Sequence, residues 1–297
     1  MAKFTKFVLL QASVVFNRQI SIFETKYDDT KEGRNKAFRN TIQKLEERKI
    51  IKINPKRAEY ILVYKAKITD NIIYCQLAKR TQMDTYTLNR DNMIEQQSID
   101  SYPPLDVFIN LAQQQFAVEL NTSILDASAI ETNIKNLINS LQKEFSIFIN
   151  TIQDRKEFWD LISNDDSIQE VSFDLVVPNF FNATGAANDL VSNAKESVNA
   201  DSVGLTLKNK NGGLKVSLSA IDSYVKYSSA TGSWKLKIKQ KGQTKYIVIH
   251  STDYCKKKEV ESEIIDLIKK WENNLNVDPQ MYNALIENLI GLFDYEE

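Results

Sequence analysis

Lysines recur at every second position in one stretch near the C-terminus, at Lys235, Lys237 and Lys239. Alternate residues of a β-strand face the same side, so a strand here presents three ammonium groups in one row. Lys241 and Lys245 follow in the predicted turn and the returning strand. Such a row can contact a phosphate backbone without reading bases. Lysines also protect an exposed sheet edge from pairing with other chains, and the spacing alone leaves both roles open.

A second basic segment covers residues 31–57, with ten Lys/Arg against three Asp/Glu. Phe38, Ile42 and Leu45 recur at helical spacing within it, which predicts a helix over residues 31–48 with basic side chains on its outer face. Glu46 and Glu47 on the same helix weaken the attraction to an anion. The candidate contacts of this segment are Arg34, Lys36, Arg39, Arg48, Lys49, Lys52, Lys56 and Arg57.

Charges of opposite sign are segregated along the chain, although the net charge is only −1. Residues 91–201 carry five Lys/Arg against eighteen Asp/Glu, and residues 259–297 carry two against ten. Segregation of this kind can present a basic surface to an anionic partner while the whole chain stays neutral. The alternative is that these charges only solvate helices and edge strands. Trp234 and Tyr246 flank the lysine row and could add a surface for base stacking.

Most catalytic chemistries lack their residues in this chain. His250 is the only histidine, which argues against histidine metal sites and Ser-His-Asp catalysis. Neither GxxxxGK nor GxGxxG occurs, so the usual phosphate-binding loops are missing. Glu24 and Lys26 form an E-x-K fragment of the kind found in metal-dependent nucleases, but no aspartate precedes Asp28 to complete the ligand set. We therefore expect no catalytic residue, metal or cofactor.

The pattern of apolar residues predicts an α+β protein of two modules. Hairpins are predicted around residues 4–25, 60–77 and 107–120, and amphipathic helices over residues 128–145 and 155–162. An Asn-, Ala- and Ser-rich stretch after Pro178 marks the expected boundary between residues 1–178 and 179–297. The second module then has helices near residues 186–198 and 217–226, the lysine-rich hairpin of residues 233–250, and a C-terminal helical pair over residues 259–275 and 279–293.

The two cysteines, Cys75 and Cys255, lack the spacing of a disulfide framework or a CxxC motif. The apolar run of residues 7–12 is shorter than the roughly 20 residues needed to span a membrane. We expect a cytoplasmic protein with reduced thiols and no export signal.

Several features together resemble proteins of bacterial defence islands, in particular the RexA-like group of phage-exclusion proteins. They are the N-terminal hairpin-helix-hairpin order, the strand of residues 172–179, the segment of residues 199–209 and the lysine-rich hairpin. The resemblance is one of order and composition over most of the chain. It implies a dimeric, non-enzymatic binder of double-stranded DNA without sequence preference, acting with a membrane-protein partner in abortive infection.

The resulting prediction is an antiviral, phage-defence protein that binds double-stranded DNA through the two basic segments. One alternative is a protein-interaction adaptor, or a sensor of a phage component, whose basic segments are merely solvated. The other is a Mg²⁺-dependent nuclease that uses Glu24 and Lys26.

Overall fold

A computed structural model describes residues 3–16, 27–55, 58–88, 93–162, 167–177, 185–211, 213–239, 242–272 and 279–294. Within these ranges the helices are α1 (Lys31–Arg48), α2 (Ala127–Asn139), α3 (Arg155–Ile162), α4 (Ala186–Val198), α5 (Leu218–Ala230), α6 (Ser262–Glu272) and α7 (Pro279–Phe293). The strands are β1 (Phe4–Phe16), β2 (Ile50–Ile53), β3 (Tyr60–Lys67), β4 (Ile72–Lys79), β5 (Thr81–Leu88), β6 (Ile94–Ser101), β7 (Pro104–Asn110), β8 (Gln115–Glu119), β9 (Phe145–Thr151), β10 (Ser167–Val176), β11 (Ser202–Lys208), β12 (Gly232–Lys239), β13 (Ile247–His250) and β14 (Lys257–Glu261). The chain is an α+β protein, as predicted.

A large antiparallel sheet has the strand order β14-β1-β8-β7-β4-β3-β2. The long strand β1 changes partners along its length. Its first part pairs with β14 and β8, with Phe7 opposite both Lys258 and Glu119. Its second part pairs with β9, ending with Phe16 opposite Phe145. One strand thus joins the N-terminus to the middle and the C-terminal part of the chain.

Both faces of the large sheet are covered, which explains why apolar residues of β1 occupy consecutive rather than alternate positions, as in Phe7–Leu10. Val8 and Leu10 point into the core formed with α1 and α2, whereas Phe7 and Leu9 point into the core formed with α6 and α7. On the second face, Lys269 of α6 forms an ion pair with the buried Asp106 of β7 at 3.3 Å. This ion pair adds a polar tether between α6 and the sheet.

A smaller antiparallel sheet has the order β11-β10-β12-β13. Helices α3, α4 and α5 contribute to the apolar core on one of its faces. Trp234 of β12 is 2% exposed and packs edge-on against Phe158 of α3, with ring centroids 5.1 Å apart. On the other face, strand residues alternate with the buried ones and remain partly or fully open to solvent.

Polar contacts join the two sheets. The side-chain ammonium of Lys195 in α4 is buried and lies 3.3 Å from the carbonyl oxygen of Phe16, at the end of β1, and 3.3 Å from Asp201. The side-chain amide of Gln153 donates to the carbonyl oxygen of Gly232 at 3.2 Å. These buried contacts orient the small sheet relative to β1 and β9.

Within the described ranges, strands β5 and β6 pair only with each other and form a separate two-stranded sheet. They connect β4 to β7, which are hydrogen-bonded neighbours in the large sheet. The sequence analysis did not predict this ribbon, because its strands lack the apolar alternation that marks a strand packed on a core.

Most predicted helices and hairpins are confirmed, with three shifts at helix ends. The helix predicted over residues 217–226 continues to Ala230. The helix predicted over residues 128–145 ends at Asn139, and the next strand begins at Phe145. The helix predicted from residue 259 begins at Ser262, because Lys257–Glu261 forms a strand that pairs with β1. The part of the first predicted hairpin that follows Phe16, over residues 17–26, lies outside the described residues.

The division at residues 178 and 179 stays a prediction. Strand pairs connect residues on its two sides. β10, before the division, pairs with β11 and β12 after it, and β14 pairs with β1. In the described part of the chain, none of the helices has the length and apolar character needed to cross a membrane.

Gly232 permits the close approach of β12 to β10. Its φ of +149° is rarely adopted by residues with a side chain, and an added Cβ would lie 2.1 Å from the carbonyl oxygen of Asp174. We expect Gly232→Ala to lower the free energy of unfolding by about 1–3 kcal/mol or more, measured by urea denaturation. Gly204→Ala in β11, where an added Cβ meets nothing within 4 Å, is the control and should change it much less. Equal effects would contradict this role of Gly232.

Glu131 of α2 predicts a pH dependence of stability. Its carboxylate accepts a hydrogen bond from the backbone N–H of Thr151 at 2.7 Å, yet burial raises the pKa of this carboxyl above its ordinary value. The folded state therefore holds the proton more tightly, and the associated stabilisation is lost as pH rises through the folded-state pKa. Glu131→Gln keeps an acceptor oxygen without the charge. Its stability relative to the parent protein should increase between about pH 4 and 7; a constant difference in urea denaturation across that range would contradict this.

Candidate nucleic-acid interface

The three alternating lysines lie on the solvent side of the small sheet. In β12 the buried residues Trp234 and Leu236 alternate with Lys235, Lys237 and Lys239, which are partly exposed. Because one side of β12 is buried against the core, the lysine side chains on its other side point to the solvent.

The strand register places other small or polar residues beside this row. Together with the lysines they form the surface that we term the open face. It consists of Glu170, Ser172 and Asp174 on β10, Ser202, Gly204, Thr206 and Lys208 on β11, Ser233, Lys235, Lys237 and Lys239 on β12, and Val248 and His250 on β13. None of these strand residues is aromatic, but Tyr246, just before β13, is partly exposed and lies beside Lys237. The open face therefore offers mainly charge and hydroxyl groups, with one ring at its margin.

Glu170 lies between two of the lysines of the open face. Its carboxylate is 3.2 Å from the ammonium of Lys208 and 3.3 Å from that of Lys235, and it accepts a hydrogen bond from Ser172 at 3.0 Å. Burial alone would raise the pKa of Glu170, but the hydrogen bonds from Lys208, Ser172 and Lys235 together lower it. Glu170 is thus an anion at neutral pH and offsets part of the positive charge.

Lys237 and Lys239 differ from Lys235 in having no carboxylate partner in the part of the chain that the structure describes. Among the described residues, no carboxylate lies within 4.0 Å of either ammonium group. The Lys237 ammonium instead lies 5.9 Å from the centroid of the Tyr246 ring, which is a cation–π distance. Lys245 is exposed just before β13, and Lys241 lies outside the described residues.

The second basic segment is only partly available for binding. Arg34 is mostly buried and pairs with Asp29 at 2.6 Å, and Arg39 donates to Asn71 at 2.7 Å. These interactions hold α1 in place, so the two arginines are less available to an anionic partner.

The remaining candidates of this segment lie nearer the surface. The ammonium of Lys49 is 4.4 Å from the centroid of the Tyr64 ring, and that of Lys52 is 4.0 Å from Glu59. Lys36 and Arg48 are exposed, whereas Lys56 and Arg57 lie outside the described residues.

The two basic segments belong to different sheets. Helix α1 contributes Phe38, Ile42 and Leu45 to the core under the large sheet, whereas β12 belongs to the small sheet. The structure therefore supplies one compact lysine row and, separately, scattered basic residues on α1 and β2.

One expectation about the lysine row is wrong, and two residues that were not predicted lie beside it. Trp234 provides no stacking surface, because its ring is buried under the helices. Glu170 and Lys208, which the sequence analysis did not select, lie on the open face. Both lie in strands whose residues alternate between more and less exposed positions. Only the register of β10 with β11 and β12 shows that they lie beside the lysine row.

The residues of the nuclease alternative, Glu24 and Lys26, lie outside the described residues. Elsewhere, among the residues that the structure describes, no three His, Cys, Asp or Glu side chains are grouped as metal ligands. His250 is exposed at the end of β13, opposite Lys235. The nuclease alternative stays a prediction.

Comparison with known proteins identifies a family for most of the chain. The model of the family described as "Domain of unknown function (DUF4747)" matches residues 19–270, which include both basic segments and the whole small sheet. No curated protein matches the chain.

Because Glu170 neutralises two lysines, its removal should strengthen binding to any polyanion. We expect Glu170→Gln to elute from heparin at higher salt than the parent protein, since Lys208 and Lys235 then become available. Glu196→Gln is the matched control, because Glu196 is exposed on α4, which packs on the other face of the same sheet. Equal shifts for the two variants would show that net charge, rather than the open face, governs the retention.

Proposed function

The chain belongs to the DUF4747 family, and we propose that it binds double-stranded DNA without sequence preference, as part of a bacterial antiviral response. The observation that carries the proposal is the row of Lys235, Lys237 and Lys239 on the open face of the small sheet. Lysine ammonium groups contact phosphates as point charges and read no base sequence.

The dimensions of the open face suit a phosphate backbone. Alternate residues of a strand are about 6.6 Å apart, a spacing of the same order as that of successive phosphates, and four strands span roughly 14 Å. The hydroxyl of Thr206 donates to that of Ser172 at 3.2 Å, and Ser172 donates to Glu170 at 3.0 Å. Contact with the phosphates therefore falls to the lysines, whose spacing supports binding along the backbone of a nucleic acid.

The composition of the open face favours a duplex over a single strand. Proteins that hold single strands usually stack the bases on exposed aromatic rings. The four strands of the open face present none among the described residues, and Trp234 of β12 is buried beneath it. Tyr246, just before β13, supplies a single partly exposed ring beside Lys237, which is fewer than the successive bases of a bound single strand would need. A duplex, whose bases are already stacked and whose phosphates face outward, matches such a surface better.

The layout similarity to RexA-like phage-exclusion proteins supports the defence role. Under this proposal the protein acts as a dimer with a membrane-protein partner, and DNA binding contributes to abortive infection. Neither basic segment needs a cofactor for this activity.

A protein-interaction adaptor is a second candidate function, favoured by one specific observation. The paired strands β5 and β6 expose several large apolar side chains, including Tyr86 at 70% and Ile94 at 74%. Exposed apolar surface of this kind marks contacts between proteins. The two functions are compatible, since the ribbon and the open face belong to different sheets.

DNA binding should be measured by fluorescence anisotropy with a labelled duplex of about 20–30 base pairs at roughly 50 and 200 mM salt. We expect micromolar or tighter binding at low salt that weakens steeply at the higher concentration, because neutralised phosphates release counterions. Lys237→Glu combined with Lys239→Glu should weaken binding at least about tenfold and flatten the salt dependence.

The matched control is Lys156→Glu combined with Lys226→Glu, which makes the same change in net charge. Both lysines are exposed, on α3 and α5, which pack on the other face of the small sheet. This variant should lose much less affinity. An absence of binding at low salt would overturn the proposal, and equal losses in the two variants would remove the open face as the contact surface.

A further inference from the structure

His250 is the only histidine of the chain, and it lies on the open face. It is the last residue of β13, where the buried Ile249 separates it from the exposed Val248. Because side chains alternate along a strand, His250 points to the same side as Val248, away from the helices on the other face of the small sheet. The register of β13 with β12 places His250 opposite Lys235, at one end of the lysine row.

This position extends the lysine row sideways by one strand. Neighbouring strands lie about 4.8 Å apart, and residues that are diagonal across an antiparallel pair lie about 7–8 Å apart. His250 is diagonal to Lys237, which has no carboxylate partner within the described residues. A duplex that contacts Lys237 therefore comes within reach of the His250 side chain.

The charge of a histidine depends on pH in a range where lysines stay protonated. Histidine is the side chain whose charge ordinarily changes between about pH 5 and 8, whereas lysine keeps its charge to about pH 10. Only the protonated imidazole carries a positive charge and two N–H donors for phosphate oxygens. At the basic end of the histidine range, the neutral ring adds no charge to the open face.

Charged groups from each element packed against β13 lie near His250. Strand β12 contributes Lys235 and Lys237, and Glu170 of β10 lies 3.3 Å from the ammonium of Lys235. Asp253 is exposed in the short 3-10 helix that follows β13. In the part of the chain that the structure describes, no carboxylate is within 4.0 Å of the imidazole. An incoming phosphate therefore meets an imidazole that no ion pair holds.

We propose that protonated His250 binds a DNA phosphate beside the lysine row, so that DNA binding takes up a proton and strengthens as pH falls. A bound phosphate favours the charged imidazole, and by linkage the charged imidazole favours the bound state. The gain in affinity is present at the acidic end of the histidine range and is lost as pH rises through it. The inference rests on the proposed DNA binding and adds a further contact residue and a regulation by pH to the open face.

Fluorescence anisotropy of the full chain with a labelled duplex, at about pH 6 and about pH 8 and constant ionic strength, tests the inference. We expect the parent protein to bind about two- to fivefold more tightly at the lower pH, a gain typical of one exposed charge pair. The slope of log affinity against log salt should also be steeper at the lower pH by up to about 0.9, because one more phosphate is neutralised.

Two substitutions at His250 separate its charge from its presence. His250→Gln has no titrating group, and its affinity should stay near that of the parent protein at the higher pH under both conditions. His250→Arg keeps a positive charge throughout and should bind at the higher pH about as tightly as the parent protein does at the lower pH. Both variants should fold normally, because residue 250 is exposed at the end of an edge strand.

Asp174 provides the matched control, because it is another titrating group of the open face. Partial desolvation raises the pKa of this carboxyl above its ordinary value, and its protonation also makes the open face more positive as pH falls. Asp174→Asn should nevertheless retain the pH dependence of the parent protein. Loss of the dependence in Asp174→Asn, with its persistence in His250→Gln, would assign the effect to Asp174 and overturn the inference.

The outcomes separate this inference from the proposed function. If the parent protein binds DNA equally well at both pH values, or if His250→Gln keeps the full pH dependence, the inference is wrong and the proposed DNA binding stands. An absence of binding at both pH values would overturn the proposed function and this inference together.

Discussion

The architecture depends on β1, a strand that is buried on both faces and changes partners along its length. Its pairing with β8, β9 and β14 brings together segments from the beginning, middle and end of the chain. Phe7 and Leu9 face one core, and Val8 and Leu10 face the other. A slip of one residue would exchange these two sets, so the register is strongly specified. Contacts at Phe16, the last residue of β1, and at Gln153, two residues after β9, position the small sheet relative to this strand.

The contrast between β1 and β12 explains how a surface for binding arises. Helices cover both sides of β1, and its residues from Phe7 to Phe16 are all buried and mostly apolar. In β12 only one side is buried, and lysines occupy the other. The open face is therefore a consequence of helices α3, α4 and α5 packing on a single side. Within that face, Glu170 offsets the charge of Lys208 and Lys235, which concentrates the uncompensated charge at Lys237 and Lys239.

The local elements were largely predictable, since period-two and helical spacing follow directly from burial on one side. The hairpin carrying Lys235 and the helix from Lys31 to Arg48 are examples. Contacts between segments that lie far apart in the sequence could not be predicted in this way. The pairing of β14 with β1 depends on contacts between residues about 250 positions apart, and the environment of Glu170 depends on the register of three strands. The paired strands β5 and β6 were not predicted, because they form a sheet of their own and lack the alternating apolar pattern of a strand packed on a core.

Lysine footprinting tests the central claim, that the open face contacts the DNA backbone, most directly. The full chain would be acetylated briefly with and without a DNA duplex at low salt, and the modification of each lysine would be measured by mass spectrometry. The account predicts that DNA protects Lys237 and Lys239, whereas Lys156 and Lys226 on the helices of the other face react equally in both samples. Protection confined to the lysines of α1, or equal reactivity of Lys237 and Lys239 when DNA is bound, would contradict it.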